Sequence, residues 1–295
     1  LAVRNPSDLE QVKANFERAE FVAMVEKAKL HVAAGDVFQV VLSQRFDLET
    51  QATPLEIYRV LRALNPSPYM YLLNLSDDLG DYAIVGSSPE ALVTVNSGRA
   101  IMHPIAGSRR RGADWDEDNS LEHELLADAK ERAEHLMLVD LARNDLLKVC
   151  APTSVAVTEF MQVHKFSHIQ HLVSTVEGDV LPSASCVDVF KATFPAGTLS
   201  GAPKPRALEI IDDLERDNRG FFGGVVGYFD FAGNADLAIA IRTAVVRDGM
   251  AHVQAGAGIV LDSDPISEYE ETRTKAAAPL RAVAEASALS RVTAE

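Results

Sequence analysis

Two pairs of glutamates share one spacing in this sequence. Glu131 and Glu134 are three residues apart in one predicted helix, and Glu268 and Glu271 are three apart in another. Positions i and i+3 lie on the same face of a helix, so each pair presents two carboxylates in one direction. Four carboxylates from two helices would suit a hard divalent cation such as Mg²⁺. The alternative is a set of exposed helix residues, because basic side chains flank both pairs.

Two further segments carry groups suited to an anion. Residues 197–204 form a glycine-rich stretch at the start of a predicted helix, where backbone N–H groups and the helix dipole favour negative charge. Arg242 is expected in an apolar strand, facing a strand that contains Gly256 and Gly258, whose backbone a ligand could approach. A guanidinium beside backbone N–H groups suits a carboxylate. The alternatives are a tight turn at 197–204 and a structural ion pair at Arg242.

Glu90 and His171 are candidates for acid–base chemistry. Glu90 follows Pro89 between two predicted strands, and His171 lies at the start of an apolar strand. Carboxyl and imidazole side chains are both common general acids and bases. Each residue taken alone is equally compatible with an ordinary structural role.

The elements that must position these residues predict an α+β fold. The strands occur in hairpin-connected groups, which favours large antiparallel β-sheets packed together and flanked by helices over a doubly wound sheet. One long amphipathic helix is predicted over residues 121–146 and one long strand over 237–247. Asp248-Gly249 predicts a type I′ hairpin turn. The acidic run 114–124 is predicted to be a solvated loop.

Composition limits the partners that this chain can have. Among 295 residues, 28 are Lys or Arg and 43 are Asp or Glu, which gives a net charge of −15. Such a balance argues against nucleic acid and against an anionic membrane, because phosphate binding needs a surplus of basic side chains. No apolar stretch is long enough to predict a transmembrane helix. The two cysteines form no CxxC pair, so a reducing, cytoplasmic compartment is expected.

The domain organisation is predicted from the same patterns. Residues 1–15 are polar and are expected to be a linker or an N-terminal remnant, and residues 16–290 are expected to form one catalytic domain. The chain begins at Leu1 without a methionine, which suggests a fragment or a processed chain.

Six segments together resemble one known family. They are GDVFQVVLS at 35–43, PIAGSR at 104–109, EHLMLVDLARND at 134–145, GTLSGAPK at 197–204, QAGAG at 254–258 and EYEETR at 268–273. In this order they resemble the chorismate-utilising enzymes, and most closely the component I group of anthranilate synthases. The match spans nearly the whole chain and implies the chorismate-binding enzyme fold.

The resemblance implies a reaction and a metal. Chorismate would lose its C4 hydroxyl, ammonia would add at C2, and elimination of pyruvate would give anthranilate, the first committed step of tryptophan biosynthesis. The metal implied is Mg²⁺, held by Glu134 and Glu271 directly, with Glu131 and Glu268 mainly behind them. It would hold the ring carboxylate of chorismate and neutralise charge as the hydroxyl leaves.

The resemblance also implies a role for most of the candidate residues. Glu90 would protonate the departing hydroxyl, His171 would assist the elimination of pyruvate, and Thr198 would complete the catalytic group. The residues implied to bind the substrate are Gly107, Ser108, Phe222, Arg242, Gly256, Ala257, Gly258 and Lys275.

Two positions favour ammonia as the nucleophile. Isochorismate and salicylate synthases carry at position 39 a Lys that activates water, and Gln39 cannot act as that base. Aminodeoxychorismate synthases carry at position 106 a Lys that bonds covalently to the ring, and Ala106 cannot do so. Two departures from the family are Phe222, usually Tyr, and Ser108, usually Thr. Loss of the tyrosine hydroxyl removes one hydrogen bond, worth about 1 kcal/mol.

The resemblance finally implies regulation and a partner. Pro68, Tyr69 and Met70 match half of a tryptophan feedback site, whose other half belongs to an N-terminal portion that is absent here. The implied partner is a glutamine amidotransferase subunit that supplies ammonia, so a hetero-oligomer is expected. The alternatives are a 2-amino-2-deoxyisochorismate synthase, an aminodeoxychorismate synthase component, and a non-catalytic fragment that only docks the amidotransferase.

Overall fold

A computed structural model describes residues 11–165 and 169–292. The described strands, in chain order, are β1 (Lys13–Ala14), β2 (Gln39–Glu49), β3 (Tyr69–Asp77), β4 (Gly80–Ser88), β5 (Ala91–Asn96), β6 (Arg99–Met102), β7 (Ile105–Arg110), β8 (Ala156–Lys165), β9 (Ile169–Asp179), β10 (Gly201–Ala202), β11 (Val225–Phe229), β12 (Ala235–Ile239), β13 (Thr243–Arg247) and β14 (Met250–Ile259).

The described helices separate these strands into groups. They are α1 (Arg18–Ala33), α2 (Pro54–Leu64), α3 (Trp115–Ala127), α4 (Ala129–Leu147), α5 (Cys186–Thr193), α6 (Gly197–Ser200), α7 (Lys204–Leu214) and α8 (Pro265–Val292), with one 3₁₀ turn at Pro152–Ser154. None of the helices in the described residues is long and apolar enough to cross a membrane.

The chain folds into two compact units that alternate along the sequence. Of the described residues, unit 1 takes 11–89, 198–224 and 239–292, and unit 2 takes 90–165, 169–197 and 225–238. Neither unit is a continuous half of the chain. That residues 16–290 act as one catalytic domain therefore stays a prediction.

Unit 1 is built on an antiparallel sheet with the order β1-β2-β14-β13-β4-β3, and β10 also pairs with β2. Helices α2 and α8 pack on one part of this sheet, where Ile57, Leu61 and Val283 meet the strand residue Val253 in a fully buried core. Helices α1 and α7 pack against β2 and β14 in a second core. Burial of these side chains stabilises each element by about 1.5–3 kcal/mol per large residue.

Helix α2 shows how the sequence sets an element's limits. Thr53 caps its first turn, Glu56 returns the bond to complete a capping box, and Pro54 occupies the first helical position. The helix ends at Leu64, before Asn65, as the sequence predicts. The type I′ turn at Asp248-Gly249 is present as well, with φ of 50° and 74° between β13 and β14.

Unit 2 is built on a second antiparallel sheet, with the order β11-β12-β5-β6-β9-β7, and β8 also pairs with β9. Helix α4 packs on β7 and β9, and α5 packs on β5. The two antiparallel sheets with their flanking helices confirm the predicted α+β class.

Three sequence-based assignments are wrong. The predicted helix 121–146 is two helices, because Asp128 has an extended backbone and its carboxylate caps the N–H groups of Lys130 and Glu131. The acidic run 114–124 is not a loop. It forms most of α3, since Asp114 caps the helix and basic residues of the preceding segment neutralise its acidic side chains.

The predicted strand 237–247 is also interrupted. β12 ends at Ile239 and β13 begins at Thr243, and between them Arg242 has a left-handed backbone with φ of 52°, outside the extended region of a regular strand. The predicted linker 1–15 lies partly outside the described residues, and its residues Lys13–Ala14 form β1 against β2.

Candidate active site

The glutamate pair of unit 1 lies in the first turns of α8. Asp264 precedes this helix and accepts hydrogen bonds from the Ser267 N–H and hydroxyl, both at 2.8 Å. These bonds hold the pKa of Asp264 below its usual value, the backbone bond being the larger cause. Glu268 is 8% exposed, whereas Glu271 is exposed. The carboxylates therefore differ in how much water reaches them.

Lys275 connects this glutamate pair to the glycine segment of β14. Its Nζ lies 2.6 Å from Glu271 Oε1 and donates a 3.0 Å hydrogen bond to the Gly256 carbonyl oxygen. The Lys275 carbonyl oxygen in turn accepts a 2.6 Å bond from Arg242 Nη1. Two basic side chains, one glutamate and the glycine segment thus form one connected group within unit 1.

Arg242 reaches this group from a position that the sequence did not predict. It lies between β12 and β13, so the prediction that Arg242 lies within an apolar strand is wrong. The β13–β14 pairing ends at Ala244 opposite Val253, and Gly256 and Gly258 lie beyond it, where β14 pairs with β2. From this position the Arg242 side chain bonds to the backbone of α8.

The glycine segment has a specific neighbour. A Cβ at Gly258 would collide with the side-chain amide of Gln39, and a Cβ at Gly256 would lie 3.0 Å from the Leu42 carbonyl oxygen. Gln39 is buried, and its Oε1 has no hydrogen-bond partner among the residues that the structure describes. An unpaired buried acceptor is costly, so this oxygen is suited to a donor supplied by a ligand.

Thr198 and Phe222 lie in two turns of unit 1. Thr198 is in the short helix α6, and Phe222 is in a turn whose N–H groups bond back to Arg219 and Ala240. Arg219 connects these turns and pairs with Glu215, and neither residue was predicted from the sequence. Glu215 and Arg219 have opposite charges and are four residues apart, a spacing that could have indicated an ion pair.

The glutamate pair of unit 2 lies in the first two turns of α4. Arg109 on β7 contacts three carboxylates there: Glu124 at 2.8 Å, Asp128 at 2.7 Å and Glu131 at 3.5 Å. Hydrogen bonds from the Glu131 N–H and from Arg109 hold the pKa of Asp128 below its usual value. Glu131 is therefore beside a positive charge that two other acids share.

Gly107, Ser108 and His171 lie together beside Glu131. Gly107 has a φ of 81° at a bulge of β7, and a Cβ there would lie 3.2 Å from Glu131 Oε2. Ser108 pairs with His171 across β7 and β9, and His171 Nδ1 donates to the Gly107 carbonyl oxygen at 3.3 Å. Glu90 is partly buried in the link between β4 and β5.

The predicted site residues divide between the two units. Those in unit 1 are Thr198, Phe222, Arg242, Gly256, Ala257, Gly258, Glu268, Glu271 and Lys275. Those in unit 2 are Glu90, Gly107, Ser108, Glu131, Glu134 and His171. No group of three or more His, Cys, Asp or Glu side chains among the described residues is arranged to hold a metal ion. Each unit offers a pair of carboxylates, which are the hard oxygen donors that Mg²⁺ takes.

The residues of the predicted feedback half-site lie at the start of β3. Tyr69 and Met70 pair with Ser88 and Ser87 of β4, and Met70 packs against the core beneath α2 and α8. Pro68 directly precedes them.

Comparison with known proteins identifies the family. Residues 2–281 match the sequence profile described as chorismate binding enzyme. The chain belongs to the chorismate-binding enzyme family. The resemblance inferred from the six sequence motifs is therefore confirmed.

Named relatives place the chain within the chorismate-binding enzymes. It is 59% identical to "Anthranilate synthase component 1" of Arthrobacter globiformis, over 99% of this chain and 56% of that protein. It is 54% identical to the protein of the same name from Aquifex aeolicus, over 95% of this chain and 56% of that one. The chain thus spans about half the length of the curated relatives it matches.

Solved structures of chorismate-binding enzymes share the fold. Anthranilate synthase component I from Streptococcus pneumoniae superposes with a TM-score of 0.84 at 47% identity, covering 91% of this chain and 59% of that one. The menaquinone-specific isochorismate synthase from Escherichia coli gives 0.81 at 25% identity, covering 92% and 62%. The fold therefore carries more than one chorismate reaction, and side chains must distinguish them.

Proposed function

We propose that this chain is the catalytic portion of an anthranilate synthase component I, converting chorismate and ammonia to anthranilate and pyruvate. The observation that carries the proposal is Gln39. Its buried amide packs on Gly258, and its Oε1 lacks a donor among the described residues. Ammonia is a hydrogen-bond donor, so it can satisfy this oxygen, whereas a glutamine cannot deprotonate water.

Positive charge in unit 1 supports a dianionic substrate. Lys275 donates to the Gly256 carbonyl oxygen of β14, and Arg242 donates to the carbonyl oxygen of Lys275, so two cationic side chains belong to one connected group. Cations at this place attract and orient a carboxylate against the overall charge of −15. We assign the enolpyruvyl carboxylate to Arg242 and to the backbone of Gly256, Ala257 and Gly258.

Two acid–base roles are assigned, both to residues of unit 2. In unit 2, Glu90 donates the proton to the departing C4 hydroxyl, and His171 assists the elimination of pyruvate. The His171 bond to the Gly107 carbonyl oxygen keeps the proton on Nδ1, which sets the imidazole tautomer. Gly107, Ser108 and Thr198 are assigned to the lining of the substrate pocket, and Phe222 is assigned to substrate binding.

Mg²⁺ is the proposed cofactor. Glu134 and Glu271 would hold it directly, supported by Glu131 and Glu268, and it would supply positive charge for the ring carboxylate. The relatives are named as component 1, which supports a partner component, and a glutamine amidotransferase that supplies ammonia is proposed for that role. Both cysteines are free thiols, which supports the proposed cytoplasmic location.

The deciding experiment is an anthranilate fluorescence assay on the protein at its full natural length. It contains chorismate, ammonium and Mg²⁺, and pyruvate is measured in parallel with lactate dehydrogenase. Anthranilate and pyruvate in equal amounts support the proposal, and excess EDTA abolishes both. Amination without pyruvate would instead identify a 2-amino-2-deoxyisochorismate or aminodeoxychorismate synthase. No turnover by the folded protein would overturn the enzymatic assignment and favour the non-catalytic docking role.

The metal assignment has its own control. Glu271→Gln is expected to abolish Mg²⁺-dependent turnover, whereas Glu270→Gln on the exposed side of the same helix is expected to retain it. Isothermal titration with Mg²⁺ alone separates lost metal binding from lost catalysis. Unchanged Mg²⁺ binding in Glu271→Gln would show that the assigned ligand is wrong.

A further inference from the structure

Glu215 is a buried carboxylate without an assigned role. Its side chain is 4% exposed and accepts the Ser43 N–H at 2.7 Å, the Ser43 hydroxyl at 2.9 Å, and Arg219 at 2.6 and 2.9 Å. The Ser43 oxygen also accepts from Gln254 Nε2 at 2.8 Å. A buried charge persists only when it is paired and fully bonded, and this one meets that condition.

Arg219 uses the rest of its guanidinium to hold two other chain segments. Two nitrogens bind the Glu215 carboxylate in the bidentate manner, Nη1 donates to the Leu199 carbonyl oxygen at 2.5 Å, and Nη2 donates to the Val41 carbonyl oxygen at 2.7 Å. A guanidinium is planar and presents its donors in fixed directions. Satisfying these acceptors together therefore fixes the position of each segment relative to the others.

Both turns that carry proposed substrate contacts are attached to this one residue. Leu199, whose carbonyl Arg219 binds, directly follows Thr198. Phe222 donates its N–H to the Arg219 carbonyl oxygen at 3.0 Å, and its ring centroid lies 5.5 Å from the guanidinium carbon. The backbone bond and the cation–π contact both help to place the Phe222 ring.

We propose that Arg219 and Glu215 are positioning residues that hold the Thr198 turn and the Phe222 turn in the geometry needed to bind chorismate. The proposal rests on the proposed function only through the roles of Thr198 and Phe222. Arg219 acts through these residues, and Glu215 acts through Arg219 by fixing the orientation of its guanidinium group. Ser43 and Gln254 extend the arrangement to β2 and β14.

The test compares Arg219→Gln with Arg216→Gln in the full-length protein. Arg216 lies in the same segment, is 48% exposed, pairs with Glu20 at 2.8 Å and stacks on Phe16. Its replacement therefore removes one arginine and one ion pair without touching the Leu199 or Phe222 turns. Arg219→Lys is the conservative variant, and it keeps the charge but loses the fork.

Two measurements are made on each variant. Hydrogen exchange without substrate is expected to become at least about tenfold faster at residues 198–202 and 221–224 in Arg219→Gln, and to stay unchanged in Arg216→Gln. In the anthranilate assay, kcat/KM for chorismate is expected to fall at least about tenfold in Arg219→Gln and less than about twofold in Arg216→Gln. KM for ammonium is expected to stay constant, because neither turn is assigned to the nucleophile.

The outcomes separate this proposal from the proposed function. If hydrogen exchange at the two turns is equally fast in Arg219→Gln and in the unaltered protein, the positioning role is overturned, whatever the catalytic result. Faster exchange with unchanged kcat/KM for chorismate overturns it as well. Absence of anthranilate from the unaltered protein overturns the proposed function, while the hydrogen-exchange result still tests the positioning role of Arg219 and Glu215. If Arg219→Gln does not fold, Arg219→Lys is measured in the same way.

Discussion

The two units hold their glutamate pairs by different means. In unit 2, Glu131 lies beside Arg109, which comes from a neighbouring strand and is shared with Glu124 and Asp128. In unit 1, Glu271 has its own counter-ion, Lys275, one turn further along the same helix. Both pairs sit in the first turns of a helix that begins after an aspartate, where the helix dipole favours carboxylates.

This difference has consequences for a metal ligand. Arg109 serves three acids, so it neutralises Glu131 only in part, and a divalent cation would relieve the remaining repulsion in unit 2. Lys275 neutralises Glu271 at 2.6 Å, so a cation at that carboxylate must compete with it. We therefore expect the pair on α4 to gain more stability from Mg²⁺ than the pair on α8.

The largest expected effect is on catalysis, and it distinguishes the two glutamates proposed to hold Mg²⁺ directly from the two proposed to lie behind them. Glu134→Gln and Glu271→Gln are each expected to lower kcat/KM for chorismate at least about a hundredfold, whereas Glu131→Gln and Glu268→Gln lower Mg²⁺ affinity about 10–100-fold, as groups behind metal ligands do. Mg²⁺ titrations of activity and of binding heat distinguish the two. Equal losses at Glu131 and Glu134 would remove the distinction.

The next effect concerns the two counter-ions. Arg109→Gln leaves Glu124, Asp128 and Glu131 without their shared cation and is expected to destabilise the protein by about 1–3 kcal/mol. Because the lost charge is positive, Mg²⁺ is expected to restore part of this stability. Denaturant unfolding in Mg²⁺ and in EDTA measures the free energy of unfolding with and without the cation.

Lys275→Gln is the matched change in unit 1. Its pair with Glu271 is more than a third exposed, so the stability loss is expected to be below about 1 kcal/mol. Its effect should instead appear as weaker chorismate binding, because a cation is lost from the glycine segment. A larger loss of stability than in Arg109→Gln would reverse the comparison between the units.

Acid is expected to act on unit 2 through Asp118. Arg111 first, then the Gly112 N–H and Lys165, hold the pKa of this carboxyl well below its usual range. A depressed carboxyl pKa adds stability above the unfolded-state value of about 3.9 and loses it as the pH falls towards the folded value. Asp118→Asn should therefore flatten the loss of stability in acid. Asp116→Asn, an exposed change in the same helix, should leave the acid limb of the unfolding profile unaltered.

The smallest effect uses the cysteines, which both belong to unit 2. Cys150 is fully buried, and burial raises the pKa of its thiol to about 11. Cys186, at the first position of α5, is partly exposed. Iodoacetamide followed by mass spectrometry should label Cys186 in the folded protein and Cys150 only as unit 2 opens. Cys150 labelling under conditions that leave unit 1 folded would show that the units open separately.

The sequence predicts those features that depend on neighbouring residues. The limits of α2 follow from a capping box and a proline, and the β13–β14 turn follows from Asp248-Gly249. Hairpin-connected strands were enough to predict the α+β class, and ordered motifs were enough to identify the family.

The features that the sequence did not predict depend on distant contacts or on backbone geometry. Asp128 looks like one more helix residue until its carboxylate is seen to cap α4. The alternation around Arg242 suggests a strand, and nothing in residue type reveals its positive φ. Arg219 was missed because its acceptors on Leu199 and Val41 are 20 and 178 residues away.

Arg242 shows how stability and activity compete within one residue. A side chain in the left-handed region costs about 1–2 kcal/mol, and glycine adopts that conformation readily. Redesign for thermal stability alone would therefore select glycine at position 242 and discard the guanidinium that bonds to α8. Under the proposed function, a more heat-resistant protein made in this way would bind a carboxylate substrate less well, so position 242 should be excluded from any stability-guided library.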